Sequence, residues 1–425
     1  MYRPTRRRFV TNLGRAALGA GLFGAIGPRW EPPPPLPDPG DPDYWRLVRR
    51  QYPLSHERVY LNTGGLGPAP FAVLDAVVHT TRSLQTLSET GHHLIEETRP
   101  EVAAFLGADP DEVAFTRNAT EGNSVVASGL DLRAGDEVIF ESHAHPGGSF
   151  PWMVRQKEDG IRVRIFEPDP TSEEGNLERI AALINERTRV LQVSHVTAPT
   201  GIRFPVEAMA RLARDRGLWF HIDGAQSAGM IPVNLHAIAC DSYAASGHKW
   251  MGGPHGTGVL YVRKDRLDEV RPTETGAYGD DGDVQLPERF GYAPSARRYE
   301  VGTRNASLVA GLGEAVNFLE TIGMRRVAVR AGALAAYLRE RLRALSGVTI
   351  LTPGKDSLAA AMITFRVEKL PYRELYRYLL GEHGLRCRIV SERGLDALRV
   401  STHIFNQEDE CDRLVEAVRA VSARQ

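Results

Sequence analysis

Cysteine is scarce in this chain: 425 residues include only Cys240, Cys387 and Cys411. An odd number of thiols with no CxxC pair and no metal-ligand spacing excludes a disulfide framework and gives no zinc site. Net charge is also lacking. With 52 basic and 53 acidic side chains the formal charge is -1, so neither nucleic acid nor an anionic membrane is indicated as a partner. No apolar run makes a comfortable membrane span, because the best candidate, Leu13 to Ile26, is short and diluted by Gly and Ala. What remains is an ordinary globular composition, 42% hydrophobic and 25% charged, long enough for two domains with a sizeable core in each. Small-molecule chemistry is the default expectation.

The ends of this average chain are not uniform. Thr5-Arg6-Arg7-Arg8-Phe9-Val10 precedes the apolar stretch, and an arginine pair, a Phe and an apolar run in that order resemble a twin-arginine export signal over residues 1–27. That resemblance implies the twin-arginine export machinery as a partner, passage as a folded protein, and a periplasmic or extracellular location. No clean small-x-small cleavage site follows. Residues 28–42, centred on Pro32-Pro33-Pro34-Pro35, cannot form helix or central strand and are expected to be a stiff linker.

From about Glu101 helical periodicity alternates with short apolar runs at Val113–Phe115, Val138–Phe140, Val190–Val193, Leu218–Ile222 and Gly258–Val262. This alternation predicts an α/β fold with a mostly parallel sheet covered on both faces. A long helical region is expected from Ala306 to Leu345. Strands at Val348–Leu351, Ala361–Val367 and Leu398–Ile404 then suggest a smaller α+β domain. The expected division is a large domain over 43–305, with 43–60 packing on the small domain, and a small domain over 306–425.

Ligands of such sheets gather at the carboxyl ends of the strands, and chemistry-bearing residues recur there. Asp223 follows the apolar strand Trp219-Phe220-His221-Ile222 and starts Asp223-Gly224-Ala225-Gln226. Lys249, 26 positions later, sits among Ala, Gly, Trp and Met in Ala244-Ala245-Ser246-Gly247-His248-Lys249-Trp250-Met251-Gly252-Gly253. Burial there would lower the amine pKa. Asn118-Ala119-Thr120-Glu121-Gly122-Asn123-Ser124 opens a helix after a strand, and amides at a helix start suit a phosphate. A lysine that forms an imine with an aldehyde, with a carboxylate that keeps a pyridine nitrogen protonated, is the pair that pyridoxal phosphate chemistry requires.

Together these residues resemble the class V aminotransferase family of fold-type I pyridoxal phosphate enzymes, over nearly all of the chain from Tyr60-Leu61-Asn62 to Arg399 and beyond. The resemblance implies pyridoxal 5'-phosphate as cofactor, Lys249 as the lysine that holds it and Asp223 as partner of the ring nitrogen. Gln226 would bond the ring's phenolic oxygen, and Ser246 and His248 would join Ala119 and Thr120 around the phosphate. His145, in His143-Ala144-His145-Pro146-Gly147-Gly148, matches the histidine that stacks on the ring and is the second choice for acid/base work. His143 is then a loop residue. Thr303, in Glu300-Val301-Gly302-Thr303-Arg304-Asn305, matches a segment that reaches a dimer mate's phosphate, implying a homodimer. Arg399 matches the clamp on the substrate α-carboxylate, with an edge-strand surface arginine as the alternative, and Arg388 is a further candidate for substrate binding. His195 also fits the pattern, although a core histidine explains it equally.

Departures from the pattern narrow the reaction. Ala198 stands where desulfurases carry an Asn on the ring oxygen, leaving that contact to Thr197, to Thr200 or to nothing. The loop from Arg386 to Leu398 lacks the sulfur-accepting thiol of desulfurases, and Cys387 is expected to be a packing residue. The Gly-Thr-Arg-Asn segment and the Pro-Gly-Gly after His145 are closer to the isopenicillin N epimerase-like branch. The expectation is an exported enzyme that removes the Cα hydrogen of an amino acid or small peptide, as epimerase or aminotransferase. The alternatives are a C–S lyase or desulfurase-like lyase and a cofactor-free binding protein of the same fold.

Overall fold

The computed structural model describes residues 33–55 and 57–422, so the expected export signal lies outside the described residues and the linker is described only from 33 onward. The strands in chain order are β1 Val59–Tyr60, β2 Val113–Thr116, β3 Glu137–Glu141, β4 Arg162–Phe166, β5 Thr188–Ser194, β6 Trp219–Asp223, β7 Ser242–Ser246 and β8 Gly258–Val262. They continue with β9 Val348–Ile350, β10 Met362–Val367, β11 Leu385–Arg386, β12 Arg388–Val390 and β13 Ala397–Ser401. Seven of them form one sheet in the order β2-β8-β7-β6-β5-β3-β4. The pairings from β4 through β7 are parallel, and β8 runs against both β7 and β2. The carboxyl ends of β2, β3, β5, β6 and β7 therefore share one edge.

Residue choice explains this geometry. β6, β7 and β8 are buried along their whole length, as strands covered on both faces must be. β7 reads Ser-Tyr-Ala-Ala-Ser, and its small residues admit the helix Ala119–Gly129 so closely that a Cβ on Gly122 would lie 2.9 Å from that of Ala244. The start of that helix is thereby pressed toward the active edge. β4 has exposed charged positions and carries no continuous apolar run, which is why periodicity alone passes over it.

A second sheet, in the order β12-β13-β10-β9, is wholly antiparallel. Its apolar residues Ile363, Phe365, Leu398 and Val400 pack with Leu334 and Leu338, Leu375 and Leu379, and Leu414 and Val418 from three helices. The helical region expected from Ala306 to Leu345 consists of two helices, Ala306–Ile322 and Met324–Arg343. Gly323 separates them at φ 88, a conformation a side chain would resist. Of residues 43–60, Val59 joins the second cluster and β1 pairs with β11, whereas Tyr44, Val48 and Tyr52 pack in the core of the large sheet.

Candidate active site

Asp223 ends β6, is 5% exposed, and both its carboxylate oxygens have partners. Oδ1 accepts the Ala225 amide at 3.0 Å and Oδ2 accepts the Asn123 side-chain amide at 3.0 Å. This excludes a solvent-facing turn aspartate. Lys249 follows β7, half-buried, and desolvation brings its amine down to about 8. The Asp223 carboxylate opposes that shift, while the Arg399 and Arg388 guanidiniums reinforce it. An amine so placed is about one-tenth neutral at pH 7, far more than an ordinary lysine, which favours imine formation and proton transfer.

At the helix start, Asn118 accepts the Glu121 amide on its side chain at 2.9 Å. The Ala119 amide already donates to Ser246 Oγ at 3.3 Å, which ties the ends of β2 and β7 together, whereas Thr120 is exposed. His248 places Nδ1 3.1 Å from the Thr257 carbonyl, to which it donates, leaving Nε2 free. Thr303 is exposed in the loop before Ala306 and lines a cavity with Arg117, Thr257 and Arg304. Buried Glu300 anchors this loop by accepting from Arg99 at 2.8 and 3.0 Å, from the Phe115 amide at 2.5 Å and from Arg304.

His145 caps the helix Pro146–Glu158, its Nδ1 accepting the Gly147 amide at 3.0 Å. The ring proton of the neutral form is therefore on Nε2. Burial lowers the pKa of His145, and the Lys249 charge lowers it further. The two glycines that follow keep space open: a Cβ on Gly147 would strike Thr120 Oγ1, and one on Gly148 would lie 3.0 Å from Asp223 Oδ2. The donor set, a low-pKa lysine, a fixed carboxylate, a histidine and a helix start with glycine-lined space between them, fits pyridoxal phosphate.

Arg399 is 1% exposed and belongs to an internal strand of the second sheet, which excludes the edge-strand surface alternative. It donates to the Ala198 carbonyl at 2.6 Å and to Asn62 Oδ1 at 3.3 Å, and its Nε has no partner. Desolvation, with nearby Arg388, lowers its pKa to about 9. A buried guanidinium with only neutral partners is poised to receive an anion. Arg388 faces Arg399 across the strands and is paired with Glu392. Gly64 lies between Arg399 and Gln226, since a Cβ there would sit 2.8 Å from both Arg399 Nη2 and Gln226 Oε1. Gln226 donates to the Gly64 carbonyl at 2.7 Å and accepts from Trp250 at 2.8 Å, so one of its N–H bonds remains for a ligand.

Other candidates sit differently. Thr197 and Thr200 bond each other at 2.9 Å, and Thr200 also meets His143 Nδ1 at 3.0 Å. His143 is thus a buried network member rather than a plain loop residue. His195 is a core residue beneath Asp223, donating its amide to the Asp223 carbonyl at 2.9 Å, and desolvation brings its imidazole to about 3. Cys387 is fully buried, and burial pushes its thiol up to about 12. Sequence reasoning missed Asn62, Gly64, Gly67, Asn123 and His221. The Thr63-Gly64-Gly65-Leu66-Gly67 run was the available signal: a Cβ on Gly67 would collide with the Lys249 carbonyl.

A mostly parallel sheet carrying this lysine and carboxylate at its active edge defines a fold-type I pyridoxal phosphate enzyme. The chain belongs to the aminotransferase class-V family, whose model matches residues 59–414. It is 33% identical over 393 residues to isopenicillin N epimerase of Amycolatopsis lactamdurans, covering 89% of this chain and 98% of that one. It is 30% identical to a cysteine desulfurase of Salmonella dublin, covering 87% and 96%. Among solved structures, a cysteine desulfurase from Thermococcus onnurineus NA1 superposes with a TM-score of 0.80 at 26% identity, covering 89% and 98%. The cystine C-S lyase C-DES gives 0.79 at 26%, covering 86% and 98%.

Proposed function

We propose that this enzyme acts on an amino acid or small peptide through its α-amino group, removing the Cα hydrogen in an epimerase-like or aminotransferase reaction. When bound, pyridoxal phosphate supplies the electron sink for the electrons left at Cα. Arg399 binds the substrate α-carboxylate in two parallel hydrogen bonds and so fixes the Cα bonds. Lys249 takes the Cα proton, and His145 is the second acid/base group, able to supply a proton that Lys249 does not return. With the cofactor bound, Asp223 would keep the ring nitrogen protonated, Gln226 would donate to the phenolic oxygen, and Ala119, Thr120, Ser246 and His248 would hold the phosphate. Arg388 assists on the substrate side.

The single observation that carries this reading is Arg399, buried with only neutral partners in a site where the lysine amine is held near 8. The inaccessible Cys387 thiol weighs against sulfur transfer to a loop cysteine. The test is proton NMR in deuterium oxide with a panel of amino acids and peptides, with and without a 2-oxo acid. Deuterium at Cα with inversion supports epimerisation, acceptor-dependent 2-oxo product supports transamination, and ammonia with a 2-oxo acid but no acceptor supports a lyase. No Cα exchange with any substrate would overturn the proposal.

Two further parts of the proposal concern export and assembly. Residues 1–27 support export through the twin-arginine machinery to the periplasm or beyond, and fusion of residues 1–42 to a folded reporter tests it, retention being the contrary result. No helix among the described residues is long and apolar enough to cross a membrane. The exposed Thr303 loop supports a homodimer whose mate approaches the phosphate. Sedimentation equilibrium tests this, and a monomer that is fully active would refute it. The large domain is taken as 43–305 and the small one as 306–425.

A further inference from the structure

Behind Asp223 the structure holds a buried chain of polar side chains that neither the sequence reading nor the family roles assign. Asn123 Nδ2 lies 3.0 Å from Asp223 Oδ2, and Asn123 Oδ1 lies 2.8 Å from His221 Nε2. His221 Nδ1 lies 2.8 Å from Ser242 Oγ, which is 2.9 Å from the indole nitrogen of Trp219. Asn123, His221 and Ser242 are each no more than 1% exposed. Groups buried this deeply must satisfy one another.

Chemistry at the two ends fixes the direction of three of the four bonds. An indole N–H can only donate, and an ionised carboxylate can only accept. Trp219 therefore donates to Ser242, the Asn123 amide to Asp223, and His221 Nε2–H to the Asn123 carbonyl, while Ser242 donates to His221 Nδ1 when the imidazole is neutral. This arrangement requires a neutral imidazole with its proton on Nε2, and burial pushes His221 down to about 4, in keeping with that state. The second amide hydrogen of Asn123 points to the Gly147 carbonyl at 3.3 Å, in the turn whose Gly147 amide bonds His145. One side chain thus joins the carboxylate and the histidine of the site.

We propose that Asn123 and His221 are positioning residues: through a hydrogen-bond chain that starts at Trp219 they hold Asp223 oriented toward the cofactor, and Asn123 couples it to the turn of His145. The proposal rests on the assignment of the chain as a pyridoxal phosphate enzyme. A donor that satisfies one carboxylate oxygen leaves the rest of the carboxylate to the protonated pyridine nitrogen.

The first test is nitrogen NMR of histidine-labelled protein at neutral pH, with and without pyridoxal phosphate. The proposal requires His221 to be neutral with Nδ1 unprotonated and Nε2 protonated, and an imidazolium or the opposite tautomer overturns it. The second test measures release of bound pyridoxal phosphate and the visible spectrum of the holoenzyme. His221→Leu and Asn123→Leu should each release cofactor about tenfold faster, the size expected for a lost hydrogen bond to a charged group. His221→Gln, which keeps a donor toward Asn123, should stay within about threefold of the parent, and the double Leu variant should be no worse than either single one. Additive losses, or no rescue by Gln, would overturn the proposal. If a Leu variant fails to fold, the tautomer measurement on the parent protein still decides the matter. A parent protein that binds no pyridoxal phosphate would instead refute the cofactor assignment.

Discussion

Arg399 donates to the carbonyl oxygen of Ala198 at 2.6 Å, so a strand of the second sheet holds a buried cation against the loop that follows β5 of the first. Among the described residues its other side-chain bond is to the Asn62 amide oxygen, and its Nε is unbonded. Removing such a charge should damage function far more than folding. Arg399→Met is expected to lower kcat/KM for a carboxylate-bearing amino acid by about a hundredfold, the size of a lost charge-assisted pair, while the cofactor-free protein melts no earlier than the parent. Parallel kinetics and calorimetry check this, and a large loss of melting temperature with modest kinetic change would reassign Arg399 to structure.

Lys249 reacts through its neutral amine. Desolvation lowers its pKa from 10.5 to about 8, so the neutral fraction rises as pH passes through about 8. The rate at which cofactor-free protein takes up pyridoxal phosphate, followed by the visible absorbance of the lysine-bound cofactor, should rise with a midpoint near that pH. Arg399→Met and Arg388→Met should each move the midpoint upward, because both guanidiniums disfavour the protonated amine. A midpoint near that of a free lysine would contradict the buried placement.

Three buried histidines set an acid limit. Desolvation lowers His195 to about 3 and both His221 and His403 to about 4. Their unfolded forms bind a proton near pH 6.5, so between 6.5 and about 4 the unfolded state binds more protons and stability falls as pH falls. Their contribution is fully present above pH 6.5 and is lost toward the folded values, at most on the order of 3 kcal/mol for His221 or His403 and about 5 kcal/mol for His195. Urea unfolding of the cofactor-free protein at a series of pH values should show that decline, and replacing His403 by Gln should flatten it. A stability that is level from pH 7 to 4.5 would contradict this account.

Much of this site is legible in the sequence because its chemistry-bearing residues follow apolar strands. Asp223 closes one buried strand and Lys249 lies three residues past the end of the next, and a small-residue setting sets Lys249 apart from a solvated lysine. Arg399 was legible only through family resemblance, since its role depends on β13 lying inside a sheet and reaching a loop 201 residues away. Asn123 and His221 were not legible at all. Each is a common residue in a helix or strand, and only folding brings them together across 98 positions. Gly67 and Gly64 fall in the same class, because their need for a bare Cα comes from Lys249, Arg399 and Gln226, all distant in sequence. The helical region expected after Ala306 is present, and its division into two helices has a local reason, a glycine at positive φ within an otherwise helical pattern.

The central claim is that Lys249, one of the five lysines in the chain, holds pyridoxal phosphate covalently. Borohydride reduction of the holoenzyme, followed by digestion and mass spectrometry, measures this directly. The account predicts a reduced pyridoxyl group on the peptide containing Lys249 and its loss in Lys249→Ala. An adduct on Lys157, Lys264, Lys355 or Lys369 instead, or none with cofactor present, would contradict it.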